Sequence, residues 1–325
     1  MRRTLAIIFA ILIASPAHAQ WARQLLVVFG RGTIPTRLPK QKNRVPPLVN
    51  PGIARVVLIV LENGDPDVAA EEPFLRDRAA DGMLMREYYA VAHPSQPNYI
   101  AMISGSIAGT NGDFSPILHR PHLGDLLPGR WKAYAEDYPG GETCSFVRSD
   151  GAYVRRHVPF LNFAGVDCHA IVRLNSDRTT RTVSRNEPPL RDVVSVTSAL
   201  RNDIENGTLP SFAMIIPNLE DDGHAPSNTH NANAWLTRYF APLLDDPRFT
   251  KDTAFVLTFD EDEHTSASHP NRVFTVIWGD HVVQGVNDDV YDHDDLFLTI
   301  AALLGVTPLP ETDESDSRPI VGIWR

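Results

Sequence analysis

Four stretches of the chain are apolar almost without interruption: Val56–Leu61 (VVLIVL), Phe212–Ile216 (FAMII), Ala254–Phe259 (AFVLTF) and Val273–Trp278 (VFTVIW). Each has the length of a strand and shows no polar face, the pattern of strands covered on both sides. Between them, apolar positions return at helical spacing. Leu190, Val193, Val194, Thr197, Leu200 and Ile204 form one stripe, with Gly207 as its stop. Trp235, Tyr239, Phe240, Leu243 and Leu244 form a second, and both stripes read as faces packed on a core. A shorter helix is predicted over Tyr99–Ser104, with Pro97 in its first turn and Gly105 ending it. This alternation predicts an α/β fold, a three-layer α/β/α sandwich around a mostly parallel central sheet. The region from Asp137 to Pro188 is less regular and is expected to cross the mouth of that sheet.

The N-terminus departs from the pattern. Arg2 and Arg3, an apolar run from Leu5 to Ala14, and Ala17-His18-Ala19 read as a signal peptide over residues 1–19. Residues 20–54 follow as a Pro-, Arg- and Lys-rich arm, 55–308 as the catalytic domain and 309–325 as a C-terminal tail. The leader run is shorter than the roughly 20 residues needed to span a bilayer, and no later segment is longer. The mature chain is therefore expected to be exported, periplasmic or secreted, without stable membrane insertion. Removing Arg2 and Arg3 takes the formal net charge from −10 to −12. That balance argues against a nucleic-acid partner and offers no polybasic membrane patch. No apolar flap is evident either. Cys144 and Cys168 are the only cysteines. In an exported chain the expectation is that they pair, with a two-cysteine metal site as the alternative.

Candidate chemistry gathers where strands end. Glu62-Asn63 follows Leu61 directly, and Asp260-Glu261 follows Phe259 directly. Ligands of open α/β sheets bind at the carboxyl ends of strands, so both pairs should face one crevice. Three carboxylates facing one another repel unless a cation or a proton separates them. An all-oxygen set of Glu62, Asn63, Asp260 and Glu261 suits Mg²⁺, Mn²⁺ or Ca²⁺ better than Zn²⁺. Ser95, in HPSQPNYIAMISGS, precedes a predicted helix N-terminus, where unpaired N–H groups and the helix dipole favour an anion. It has two readings there, a helix cap or a phosphate-seeking nucleophile. Asp222 and His224 lie in the turn-rich loop after the strand that ends at Ile216, whereas Ser227, Asn228 and His230 read as loop and cap residues. His157 is uninformative by itself, and His293 reads as a residue that caps or packs the last helix.

Taken together, these motifs resemble the phosphoesterase family that contains bacterial and fungal acid phosphatases and the bacterial phosphatidylcholine-type phospholipases C, within the alkaline-phosphatase superfamily. The resemblance rests on VVLIVLENGD, HPSQPNYIAMISGS, YAEDYPG, YVRRHVPF, PNLEDDGH, TFDEDE, NRVFTVIWG and YDHDDLFLTIAALLG. It implies an alkaline-phosphatase-like sheet and one divalent metal ion (Mg, Mn, Ca or Zn) at Glu62, Asn63, Asp260 and Glu261. By the same resemblance Ser95 is the nucleophile that forms a phosphoserine, and His157 and His224 hold the phosphate or its leaving group. Asp222 falls in a matching motif as a substrate or metal contact. Asn98 and the backbone N–H groups at the helix start are placed to hold phosphoryl oxygens. The expected substrate is a small phosphate ester, and the expected activity is that of an acid phosphatase. Long phospholipases C of the family carry extra C-terminal β domains, whereas this chain ends soon after the core, so phospholipase C activity stands as the alternative. A catalytically silent phosphate-binding protein is the third reading. A protonated His157 or His224 would bring an acidic optimum, because histidine titrates near pH 6.5. Oligomeric state is left open.

Overall fold

The apolar runs become the middle of one sheet because no strand with two buried faces can sit at an edge. In the computed structural model of the chain, the residues described are 47–175, 197–224, 228–264, 270–307 and 317–325. The strands are β1 (Arg55–Leu61), β2 (Met83–Met85), β3 (Trp131–Glu136), β4 (Ile171–Leu174), β5 (Phe212–Ile216), β6 (Thr253–Phe259), β7 (Thr275–Trp278) and β8 (Gly285–Asn287). They form an eight-stranded sheet in the order β8-β2-β7-β6-β1-β5-β3-β4. Only β7 runs against its neighbours; the other pairings are parallel. All of β5 and β6, and all of β1 after Arg55, are buried. Successive strand residues point to opposite faces, so unbroken burial means that layers cover both sides. The domain is therefore the expected α/β/α sandwich.

Four helices matter for the site: α1 (Ser95–Ser104), α2 (Ser198–Asn206), α3 (Asn228–Trp235) and α4 (His293–Leu303). α1 packs along α4. Gly105 and Gly207 end α1 and α2 in the left-handed conformation, φ 72° and 67°, which glycine adopts without steric penalty. The first helical stripe is borne out at Leu200 and Ile204; its residues Leu190, Val193 and Val194 lie outside the described residues. The second stripe does not form one helix. After Trp235 the chain widens to a π turn over Leu236–Phe240 and then tightens to a 3₁₀ turn over Ala241–Asp245. Pro242 has no N–H for the preceding turn, which accounts for the loss of α geometry there.

The irregular region holds more order than its sequence suggests. Its described residues contain a two-residue hairpin pairing Ser149–Asp150 with Tyr153–Val154, three 3₁₀ turns and the edge strand β4. Cys144 and Cys168 are joined by a disulfide across 24 residues. Closing a loop of that length is worth roughly 3 to 4 kcal/mol on the chain-entropy model, less any strain. Alkylation of the unreduced protein followed by mass spectrometry should accordingly find no free thiol, and two alkylatable cysteines would contradict the pairing. The segments expected as arm and tail are partly built into the domain. Asn50 Nδ2 donates to Leu303 O at 2.7 Å, and Ile53 is buried. Ile320 and Ile323 are fully buried, with Ile320 N donating to Thr299 Oγ1 at 2.7 Å. The expected leader lies outside the described residues. Among the described residues no helix is long and apolar enough to cross a membrane.

Candidate active site

Parallel pairing of β1 with β6 sets Leu61 opposite Phe259, so the residues that follow emerge side by side. Backbone bonds continue the ladder past the strands: Asp260 N donates to Leu61 O at 2.9 Å, and Glu62 N to Asp222 O at 2.8 Å. Asn63 turns away in the left-handed region, φ 45°, and its N–H donates to Asp260 Oδ1 at 3.0 Å. Gly223 sits between Asp222 and His224 at φ +102°, where an added Cβ would lie 3.0 Å from Glu62 O. A side chain there would meet both strain and contact. Three strand ends are thus tied into one rim.

Ser95 is the first residue of α1, not the residue before it, and Pro94 occupies the cap position without a side-chain cap bond. The reading of Ser95 as a mere helix cap fails on this geometry. Ser95 is 4% exposed, and its hydroxyl lies 3.2 Å from Glu62 Oε2 and 3.3 Å from Glu261 Oε1, within reach to donate to either. Asn63 Nδ2 lies 3.5 Å from the same Glu261 oxygen. His157 stands between two carboxylates, with Nε2 3.1 Å from Glu62 Oε1 and Nδ1 3.5 Å from Asp222 Oδ2. Neither contact is aligned as a hydrogen bond. Tyr99 stacks on the imidazole, ring centroids 5.2 Å apart and planes 9° from parallel. His224 lines a cleft of about 500 Å³ together with Asn63, Asp65, Glu72 and Glu263. The structure therefore brings Glu62, Asn63, Ser95, His157, Asp222, Asp260 and Glu261 together, with His224 beside them.

Asn98 has a different occupation from the one expected. Its Oδ1 accepts from Val91 N and Ala92 N, both at 2.9 Å, and its Nδ2 donates to Ala92 O at 2.9 Å. The amide holds the loop that leads into Ser95. The helix start is also a poorer anion site than expected, because Gln96 N donates to Asp113 Oδ1 at 3.0 Å and Pro97 has no N–H. Sequence reasoning missed His93 and undervalued His293. His93 Nδ1 lies 2.7 Å from Glu261 Oε2. His293 is buried at the start of α4, with Nε2 2.8 Å from Asp260 O and Nδ1 3.2 Å from Tyr88 Oη. His93 had a signal, since it stands two residues before Ser95; the reach of His293 across 33 residues had none.

The electrostatics follow from burial. Burial pushes the carboxyls of Glu62 and Asp260 well above the usual range, and repulsion from neighbouring carboxylates adds to it. Burial likewise pushes Asp222 up to about 8. It drives His157 well below the ordinary histidine range, and Arg156 and His224 add to that. The expectation of a protonated His157 holding phosphate therefore runs against its burial. As they stand, no three His, Cys, Asp or Glu side chains among the described residues are grouped to hold an ion. The donor chemistry nonetheless fits a hard divalent cation. Asn63 Oδ1 and Asp260 Oδ2 are buried without a hydrogen bond, and Glu62 Oε1 and Glu261 Oε2 meet only the imidazole nitrogens of His157 and His93, neither aligned as a hydrogen bond. Oxygens of that kind are costly to leave unmatched, and a small shift of flexible carboxylates onto a cation would match them.

A profile of the Phosphoesterase family matches residues 68–307 of the chain. An acid phosphatase of Aspergillus fumigatus is 32% identical over 273 residues, 80% of this chain and 56% of that protein. The phosphatidylinositol-3-phosphatase of Mycobacterium tuberculosis is 31% identical over 283 residues, covering 84% of each chain. The chain spans little more than half the length of the fungal acid phosphatases that it matches. Among solved structures, an alkaline-phosphatase-superfamily protein of Vibrio parahaemolyticus superposes with a TM-score of 0.58 at 14% identity, over 84% of this chain and 72% of that one. A phosphonate monoester hydrolase of Silicibacter pomeroyi gives 0.55 at 12% identity, over 82% and 76%. At such identities the superpositions speak for the fold alone.

Proposed function

Because the chain belongs to the phosphoesterase family, we propose that it is an exported, metal-dependent phosphomonoesterase that works through a phosphoserine on Ser95. The observation that carries this reading is the place of Ser95. Its hydroxyl lies between Glu62 and Glu261 at the start of α1, over the ends of β1 and β6. In the proposed reaction Oγ attacks phosphorus as a neighbouring carboxylate takes the serine proton. The Oγ–P bond forms, the P–O bond to the alcohol breaks, and the alcohol leaves with a proton that the proposal assigns to His224. Water then attacks the phosphoserine, giving its proton back to the imidazole of His224, and phosphate is released as the carboxylate returns the serine proton to Oγ. Tyr99 fixes the ring plane of His157 by stacking, which keeps the imidazole between Glu62 and Asp222. A divalent cation held by Glu62, Asn63, Asp260 and Glu261 would supply Lewis acidity, favouring the serine alkoxide and offsetting phosphoryl charge. The disulfide and the acid phosphatase relatives support export.

A substrate panel tests the reading. Aryl phosphate monoester should be hydrolysed well, a diaryl phosphate diester at least about tenfold more slowly, and monoester turnover should stop on chelation and return with added metal. A faster diester reaction would favour phospholipase C activity. Tight phosphate binding with no turnover of any ester would favour a silent binding protein.

A further inference from the structure

The motifs YAEDYPG and PNLEDDGH carry three polar residues that the reaction itself does not use: Glu136, Asp137 and Asn218. Parallel pairing of β3 with β5 sets Ala135 opposite Ile216, so Glu136 ends its strand beside the loop that begins at Pro217. Glu136 is 2% and Asn218 3% exposed. Buried polar groups are costly unless matched, and each of the four polar atoms of Asn218 has a partner. Its N–H donates to Glu136 Oε2 at 3.1 Å, and its Nδ2 donates to Asp137 Oδ2 at 2.9 Å. Its Oδ1 accepts from Glu220 N at 2.8 Å. Its carbonyl accepts from Asp221 N at 2.9 Å and from Asp222 N at 2.8 Å.

Asn218 is thus fastened on one side to the end of β3 and on the other to the turn that follows it. That turn runs straight into the site. Asp222 Oδ1 accepts from His224 N at 2.8 Å, and Asp222 O accepts from Glu62 N at 2.8 Å. Gly223 lies between Asp222 and His224 at φ +102°. Glycine has the widest conformational freedom of any residue, so this turn depends on its hydrogen bonds to keep one shape. A reacting group displaced by about 1 Å can lose some two orders of magnitude in rate, which makes the shape of the turn matter for His224.

We propose that Asn218, clamped by Glu136 and Asp137 at the end of β3, is the positioning residue that holds the turn of Asp222, Gly223 and His224, so that His224 reaches the leaving oxygen. The inference rests on the phosphomonoesterase reading for the role of His224, though not for the shape of the turn. A proton on the leaving oxygen matters most where that oxygen is strongly basic. A loosened turn should therefore harm phenyl phosphate, whose leaving group is poor, more than para-nitrophenyl phosphate, whose leaving group is good.

Turnover of these two esters by metal-loaded protein is the test. Asn218→Ala removes the side-chain bonds and should lose roughly thirtyfold in kcat on phenyl phosphate, against roughly threefold or less on para-nitrophenyl phosphate. His224→Ala should show the same bias with larger losses. Adding Asn218→Ala to His224→Ala should cost no more than about twofold further, because a residue that acts through His224 has then nothing left to act on. Asp137→Gly removes one partner of Asn218 Nδ2 and keeps the left-handed backbone of Asp137, φ 57°. It should show the bias at smaller size, and it decides the matter if Asn218→Ala does not fold. Losses equal on both esters in these variants while His224→Ala is biased, or additive losses in the double variant, would overturn the positioning role. Amide hydrogen exchange reads the turn without turnover: the Asp222 N–H should exchange about tenfold faster in Asn218→Ala and measurably faster in Asp137→Gly, and wild-type exchange in both would overturn the clamp. Faster exchange alongside a wild type that hydrolyses neither ester, or a His224→Ala that loses both alike, would instead overturn the phosphomonoesterase reading or its acid and leave the clamp standing.

Discussion

Ser95→Ala should lose about four orders of magnitude or more in kcat on an aryl phosphate, while melting within a degree or two of wild type. The two halves of that expectation come from different observations. Activity falls because the hydroxyl that lies 3.2 Å from Glu62 and 3.3 Å from Glu261 is the only nucleophile proposed to attack phosphorus. Stability holds because Ser95 is not the helix cap: Pro94 occupies that position, and no side-chain cap bond is lost. Alanine is also a good helix former at a first-turn position. The variant should still bind inorganic phosphate and metal. A fold that collapsed on this one change would mean that the hydroxyl is structural after all.

Asp260→Asn should show the opposite signs in two measurements. Asn keeps an oxygen to accept the bond from Asn63 N, which reaches Asp260 Oδ1 at 3.0 Å, so the turn survives. It removes one negative charge from a group in which Glu62, Asp260 and Glu261 repel one another and are fully or almost fully buried. Metal affinity should fall by about a hundredfold or more, with activity following it, because a charged oxygen has been lost from a site of hard donors. In metal-free protein at neutral pH the same change should raise the melting temperature, because it removes a carboxyl that folding buries and holds well above its usual range, which costs stability wherever the unfolded group is ionised. Calorimetry of metal-free and metal-loaded protein separates the two effects. Wild-type affinity in the variant would place the ion elsewhere.

How much of this was legible follows from the kind of signal each feature leaves. β1, β5 and β6 announced themselves because burial on both faces leaves their runs apolar almost throughout, with Thr258 the one polar residue inside them. Their ends then located Glu62, Asn63, Asp260 and Glu261 without any knowledge of pairing. β3 was missed because Lys132 and Glu136 interrupt its pattern. Lys132 is satisfied by Asp203 at 2.7 Å, and Glu136 is a buried carboxyl held by Asn218 N at 3.1 Å. β4 is an edge strand of four residues, too short to carry a period. The reversed direction of β7 has no local signature, since antiparallel and parallel core strands read alike.

Within the site, Glu62, Asp260 and Glu261 were legible as charges next to a strand end, whereas His293 and Tyr99 act across the fold. His293 positions Asp260 through its carbonyl, and Tyr99 fixes His157 by stacking, yet nothing in their neighbouring sequence distinguishes them from core. Asn98 shows how a side chain acquires a second occupation in the fold. Its place in a motif suggested a phosphate contact, whereas three hydrogen bonds commit it to the loop of Val91 and Ala92.

The covalent step is the part of the account on which the rest depends, and it can be trapped. Wild-type protein turning over a labelled aryl phosphate should be quenched in acid, digested and mapped by mass spectrometry. The account predicts phosphate on the peptide that contains Ser95, absent in Ser95→Ala and lost when the quench is delayed past substrate exhaustion. Steady turnover with no phosphopeptide, or with the label on any other residue, would contradict it.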